Sequence, residues 1–138
     1  MKAIILAGGY ATRLYPLTEN KAKPLLEIAG KSIIDYILDK VYSLEEIKDI
    51  FVVTNNKFYR DFLAWSYSRR NYKLKIINDG TRTNEGRLGS IGDIHLVIKT
   101  EQIIDDDLLV IAGDNLFEFS LRKFVNFFQQ KKSSIVAL

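Results

Sequence analysis

Short apolar runs alternate with longer amphipathic stretches along this chain, and the two spacings predict different elements. Lys2 to Ala7 (KAIILA) is a short apolar run ending at Gly8-Gly9, the pattern of a strand buried on both faces. A long loop rich in Thr, Pro and Lys then runs to about Gly30. Ser32 opens a helix: its hydroxyl can accept from free N–H groups, and Asp35 suits the positive helix end. Ile33, Ile34, Ile37, Leu38, Val41 and Leu44 recur at helical spacing and make its apolar face. Ile50 to Val53 is the second strand. Lys57 to about Ser68 is a helix with Phe58, Phe62 and Trp65 in reach of one another. Leu74 to Ile77 is a third strand, and Asp79 to Arg87 (DGTRTNEGR) a polar loop. Ser90 to about Lys99 is a helix that turns Ile91, Ile94 and Ile98 inward. Leu108 to Ala112 is the fourth strand and ends in Gly113-Asp114-Asn115. Ser120 caps a last helix carrying Leu121, Phe124, Val125 and Phe128, and Ser134 to Leu138 starts a fifth strand. Strands alternating with helices give parallel β-α-β units with right-handed crossovers. The expected class is therefore α/β: a Rossmann-like, mostly parallel sheet with helices on both faces.

Length changes this picture little. The 138 residues are one domain's worth, enough to bury a core without staples. There is no cysteine, which excludes a disulfide framework and Cys-based metal sites and fits a reducing compartment. Twenty Lys and Arg against seventeen Asp and Glu leave a formal charge of +3, too weak to imply a nucleic-acid partner. No apolar run approaches the ~20 residues of a membrane helix. The N-terminus lacks the long apolar region and small-residue cleavage site of a secretory leader. The expectation is a cytoplasmic domain with neither nucleic-acid nor membrane partner, and an assembly of identical subunits is left open. A strand at the last residue either closes a small five-stranded domain or belongs to something longer; the expectation is a single domain over residues 1–138, incomplete at its C-terminus.

In such sheets ligands bind outside the carboxyl ends of the strands. Two segments there stand out: Leu6 to Pro24 (LAGGYATRLYPLTENKAKP) and Gly113-Asp114-Asn115. If the first and fourth strands are neighbours, both open on one crevice. Gly8 and Gly9 let backbone N–H groups approach a phosphate, and Arg13, Lys21 and Lys23 follow. A glycine turn, a planar guanidinium and a mobile ammonium suit a polyphosphate. Pro16 and Pro24 restrict the loop. The same residues can also be a plain turn with solvated cations, and spacing alone does not decide between the two.

The segment LAGGYATRLYPLTENKAKPLLEIAGKSI resembles the signature of the sugar-phosphate nucleotidylyltransferases, typified by glucose-1-phosphate thymidylyltransferase. The family pattern is a strand, then L-A-G-G-x-G-T-R-L-x-P-L-T, then K-P-L-L. Leu88 to Asp93 (LGSIGD) looks like the family's G-T-A-G-A segment, and IAGDN like its metal-binding G-D-N. The resemblance spans the chain and covers about the front half of a family catalytic domain, the front part of the nucleotide-diphospho-sugar transferase fold. It implies transfer of a nucleoside monophosphate from a nucleoside triphosphate to a sugar 1-phosphate, with release of pyrophosphate; glucose 1-phosphate and dTTP are the best single expectation. It also implies roles. Gly8, Gly9 and the neighbouring Thr12 backbone would cradle phosphates, and Arg13 would neutralise the leaving pyrophosphate. Lys23 would bridge toward the α-phosphate and the incoming sugar phosphate. Asp114 would hold Mg²⁺. Leu6, Ala7 and Gly89 would border base and ribose. The chain departs from the pattern twice. Ala11 stands where the family has its third glycine, and Asn78-Asp79 where it has a base-reading Gln-Pro. A cytidylyl-, uridylyl- or guanylyltransferase acting on another sugar or alcohol phosphate shares this machinery. From a different class, a non-catalytic nucleotide-binding or regulatory module would carry the same loop.

Other features have plainer readings. Ala29-Gly30-Lys31-Ser32 looks like the tail of a Walker A loop, but Leu25 stands where that loop needs its first glycine, so a turn and helix cap are expected. A receiver domain should show paired acids after its first strand, where Gly8-Gly9 stand. His95 falls on the face of Ile91 and Ile98 and is expected to be a partly buried structural residue. Asp105 to Asp107 reads as a solvated turn. Arg69-Arg70, Lys73 and Lys75, interleaved with Tyr67 and Tyr72, read as a solvated helix end. Arg82 and Arg87 sit in the polar loop, which could reach a nucleotide.

Overall fold

Four parallel strands carry the site. A computed structural model describes residues 1–69 and 73–137. β1 (Lys2–Ala7) leads through two 3-10 turns to a small hairpin, β2 (Glu27–Ile28) and β3 (Lys31–Ser32). α1 (Ile33–Tyr42), β4 (Ile50–Thr54), α2 (Tyr59–Tyr67), β5 (Leu74–Asn78), α3 (Gly89–Thr100), β6 (Leu108–Ala112) and α4 (Leu121–Lys131) follow. The sheet order is β5-β4-β1-β6, and every neighbouring pair is parallel. The α/β, Rossmann-like class expected from the alternation is the one observed. Among the described residues no helix is long and apolar enough to cross a membrane.

β1 shows why a continuous apolar run was needed. Ala3, Ile5 and Ala7 pack on one face with α1, Phe62 of α2 and Leu121 and Val125 of α4. Ile4 packs on the other face with Phe51, Val53, Ile77 and Val97 of α3. Both faces are dry, as a parallel sheet between helices requires. Phe58 and Phe62 are almost wholly buried, and each such side chain contributes about 1.5–3 kcal/mol by its burial.

The helix signals resolve as expected at α1 and α4. Ser32 accepts from Asp35 N, and Ser120 from Lys123 N. Asp35 also ties two helices together, accepting from Trp65 Nε1 at 3.1 Å and from Arg69 Nη2 at 2.6 Å. Burial works to raise the Asp35 pKa, but the hydrogen bonds from Arg69 and Ser32 outweigh it and hold the carboxyl below its usual range. Arg69 is therefore paired inward. Arg70 and Tyr72 of the same basic stretch lie outside the described residues. Ala29-Gly30 is the turn of the β2–β3 hairpin, and Ser32 is the cap, so the Walker-like tail has the plain role. Asp105 to Asp107 are exposed.

Three expectations need correction. Ile91 does not turn inward: it is 80% exposed, and His95 beside it is exposed rather than partly buried. The buried residues of α3 are Asp93 and Val97, flanked by the half-buried Ile94 and Ile98. Apolar residues occur nearly all round this helix, so their spacing could not set its phase. Residues 134–137 form no strand; the described sheet has four strands, and Leu138 lies outside the described residues.

Candidate active site

Ala7, Thr54, Asn78 and Ala112 end their strands on one side of the sheet. A crevice of about 300 Å³ opens there. It runs across the end of β1, from the β6 side to the β5 side. Leu6, Ala7, Gly8 and Gly9 form its floor, and Lys23, Pro24, Ala112 and Asp114 line one end. Asp79, Arg87, Gly89, Ser90 and Asp93 line the rest. The two segments singled out by composition thus meet in one place.

Hydrogen bonds from three residues, Gly113, Asn55 and Thr18, hold that floor. Gly113 N donates to Leu6 O at 2.8 Å, drawing the end of β6 against β1. Asn55, fully buried after β4, donates from Nδ2 to Gly8 O at 3.0 Å and accepts from Phe58 N at 3.1 Å. One amide thus anchors the glycine turn and the entry to α2. Thr18, 1% exposed, donates to Ala11 O at 2.7 Å and closes the loop from its far side.

Lys23 lies at the start of the 3-10 turn Lys23–Leu25, with Pro24 locking the backbone beside it. Its Nζ donates to Asp114 Oδ2 at 3.0 Å. Cation and carboxylate, 91 residues apart in sequence, thus meet at one end of the crevice. Arg87 lines the crevice, while Arg82 is exposed and does not. Thr12 and Arg13 also lie outside the lining, exposed on the short turn that follows Ala11. Lys21 opens on a different concavity beside Asp35 and Trp65.

Ala11 adopts φ 47°, ψ 40°, the left-handed region. The missing third glycine is thus at a position that strains a Cβ by about 1 kcal/mol. Ala11→Gly should raise stability by about 0.5–1 kcal/mol, less than the full strain because glycine has more freedom to lose. Urea unfolding of the two proteins checks this; equal midpoints would mean the loop relaxes around the methyl group.

Asp93 is not singled out in the sequence, and Asp79 enters only with Asn78 as a departure from the family's base-reading pair. Asp93 is only 5% exposed, and its Oδ1 has no hydrogen-bond partner among the described residues. Burial, and secondarily the charge on Asp79, push its pKa up to about 6. The available signal was an acid standing in α3 four residues before Val97, on the same helical face.

A divalent metal needs hard oxygen donors. Among the described residues no group of three or more His, Cys, Asp or Glu is placed to hold one. Asp114 alone fits the more modest demand of Mg²⁺, which typically takes one or two carboxylates and completes its shell with phosphate oxygens and water.

Comparison with known proteins bears on this crevice. The sequence pattern of the family described as nucleotidyl transferase matches residues 2–138. The bifunctional protein GlmU of Methanocaldococcus jannaschii is 34% identical over 127 residues, covering 92% of this chain and 28% of that protein. A Sulfolobus acidocaldarius protein named as a mannose-1-phosphate guanyltransferase is 33% identical over 131 residues, 95% of this chain and 34% of that one. Among solved structures, a Bacillus anthracis protein described as a glucose-1-phosphate thymidylyltransferase superposes with a TM-score of 0.80 at 28% identity. That match covers 96% of this chain and 51% of the other. The chain thus spans about a third or less of these curated relatives and about half of the solved one.

Proposed function

The chain belongs to the nucleotidyl transferase family, and from that premise we propose that it carries the nucleotide-binding machinery of a sugar-1-phosphate nucleotidyltransferase. The reaction joins a sugar 1-phosphate oxygen to the α-phosphorus of a nucleoside triphosphate and releases pyrophosphate. Glucose 1-phosphate is the acceptor favoured by the resemblance and by the Bacillus anthracis neighbour's description. A cysteine-free chain working on triphosphates fits the cytoplasm. The observation that carries this reading is the Lys23–Asp114 pair facing over the glycine turn in one crevice.

Such a transfer asks for positioning and charge stabilisation rather than a protein nucleophile. The crevice matches that demand, since no Cys or His lines it. The backbone of Gly8 and Gly9, held by Asn55, approaches the phosphates without side chains in the way. Lys23 exchanges its bond to Asp114 for phosphate oxygens and holds the α-phosphate against the incoming sugar phosphate. Arg13, exposed on the same loop just outside the crevice lining, would have to swing inward to meet charge on the leaving pyrophosphate. Asp114 would hold Mg²⁺, which when bound supplies positive charge to the polyphosphate.

Calorimetric titration with nucleoside triphosphates, with and without Mg²⁺, tests the assignment. Lys23→Ala should weaken binding about tenfold or more, the worth of a charge-assisted hydrogen bond. Asp114→Ala should weaken binding only when Mg²⁺ is present. Without the metal it should bind as well as the parent or better, because Lys23 is then released. An Asp114→Ala effect indifferent to Mg²⁺ would remove Asp114 from the metal role, and an unaltered Lys23→Ala would remove the phosphate role.

A further inference from the structure

A side chain at Gly8 would have no room. A Cβ there would lie 2.9 Å from Asp93 Oδ2 and 3.2 Å from Asp79 Oδ2. Two carboxylates, one following β5 and one from α3, therefore converge over the glycine backbone. The strand order sets β5 and β6 on opposite sides of β1, so this acidic end lies across the crevice from Lys23 and Asp114. Asp79 is half committed: its Oδ1 accepts from both Thr81 N and Thr81 Oγ1 at 2.7 Å. Asp93 is almost sealed from water, and its Oδ1 has no donor among the described residues.

Asp79 and Asp93 outnumber Arg87 at this end, whereas Lys23 balances Asp114 at the other, so charge orients a polyphosphate away from the two carboxylates. The phosphates go to the Lys23 end and the nucleoside to the acidic end. Arg87 and Ser90 line this end as well, yet Asp93 Oδ1 has no donor among the described residues. We propose that Asp79 and Asp93 read the nucleobase and select guanine, in place of the thymine expected from the resemblance. This deepens the nucleotide-binding reading above and rests on it. Guanine is the one base that presents two adjacent donors, N1–H and the 2-amino group, with no acceptor between them. Thymine and uracil present carbonyl oxygens on both sides of a single N–H, and those oxygens would face carboxylate charge. Cytosine and adenine pair one amino donor with a ring-nitrogen acceptor. Asp93 Oδ2 and Asp79 Oδ2 already meet over Gly8, so each can accept one of two adjacent donors.

The test is a calorimetric series on this chain at pH 7.5 with Mg²⁺: GTP, ITP, dGTP, ATP, CTP, UTP, dTTP and inorganic tripolyphosphate. GTP should bind about tenfold or more tightly than ITP, which lacks only the 2-amino group, and than UTP or dTTP. Asp93→Asn and Asp79→Asn should each draw the GTP/ITP ratio toward one while leaving tripolyphosphate binding intact or stronger. Equal GTP and ITP affinities in the parent protein, a comparison that needs no variant, would overturn the base assignment. If tripolyphosphate still bound and Lys23→Ala still weakened it, the phosphate end would stand. A loss confined to dGTP would give the carboxylates to the ribose hydroxyl and overturn the proposal as well. Failure of tripolyphosphate and every nucleotide to bind would remove both readings together.

Discussion

Asp93→Asn should stabilise this protein at pH 7.5 by about 1–3 kcal/mol, and the gain should fade toward pH 4. The carboxyl titrates near 3.8 in an unfolded chain and near 6 when buried beside Asp79. The folded state therefore holds the proton more tightly. Below about pH 4 both states are protonated and Asp93 is harmless. As pH rises from 4 to 6, the unfolded chain releases its proton first, and stability falls. The full difference corresponds to about 3 kcal/mol, reduced where the crevice admits water. The asparagine is neutral throughout and can donate to the neighbouring Asp79. Urea unfolding of both proteins at pH 7.5 and pH 4 checks this. Asp35 slopes the other way: its lowered pKa adds stability above its ordinary value that is lost as pH falls through the folded one. It is common to both proteins and cancels. A parent protein that is the more stable at pH 7.5, or a gap of one size at both pH values, would contradict the burial argument.

Gly113→Ala should cost about 1–3 kcal/mol, the range of an overpacked core, and should weaken Mg²⁺-dependent nucleotide binding with it. A Cβ at residue 113 would lie 2.9 Å from Leu6 O and 3.1 Å from Ile5 Cγ2. Leu6 O belongs to the central strand and accepts from Gly113 N, so neither partner can move aside cheaply. The end of β6 must shift instead, and Asp114 goes with it. A thermal melt should show a loss of several degrees, and titration with and without Mg²⁺ should show the loss concentrated in the metal-dependent part. A variant that melts lower but binds normally would mean that Asp114 is positioned independently of the strand.

The fold was legible because its signals are local. KAIILA has one buried solution in a chain of alternating elements, and Ser32 and Ser120 announce their helices by chemistry that works within three residues. The crevice was legible where the loop carries glycines and cations in a short run. Asp93 was not. In the sequence it is one acid inside an apolar helix, and only tertiary packing against Gly8 gives it meaning. Asn55 escaped for the same reason: its two hydrogen bonds reach 47 residues back and three forward, and neither has a sequence period. Ile91 shows the converse failure. It sits at good helical spacing, yet in α3 several phases are equally apolar, and packing chose another. Arg13 lies on the glycine loop, but the turn that holds it outside the crevice depends on Ala11 and Thr18.

The Lys23–Asp114 pair has a consequence for ionic strength. Both side chains are partly open to solvent, at 29% and 40% exposure, so dissolved ions screen them. Salt weakens the attraction between Lys23 and an arriving polyphosphate. It also weakens the internal pair that the polyphosphate must displace. The two effects oppose each other. A lysine that is already paired within the crevice therefore makes binding respond to salt less steeply than the count of cations implies.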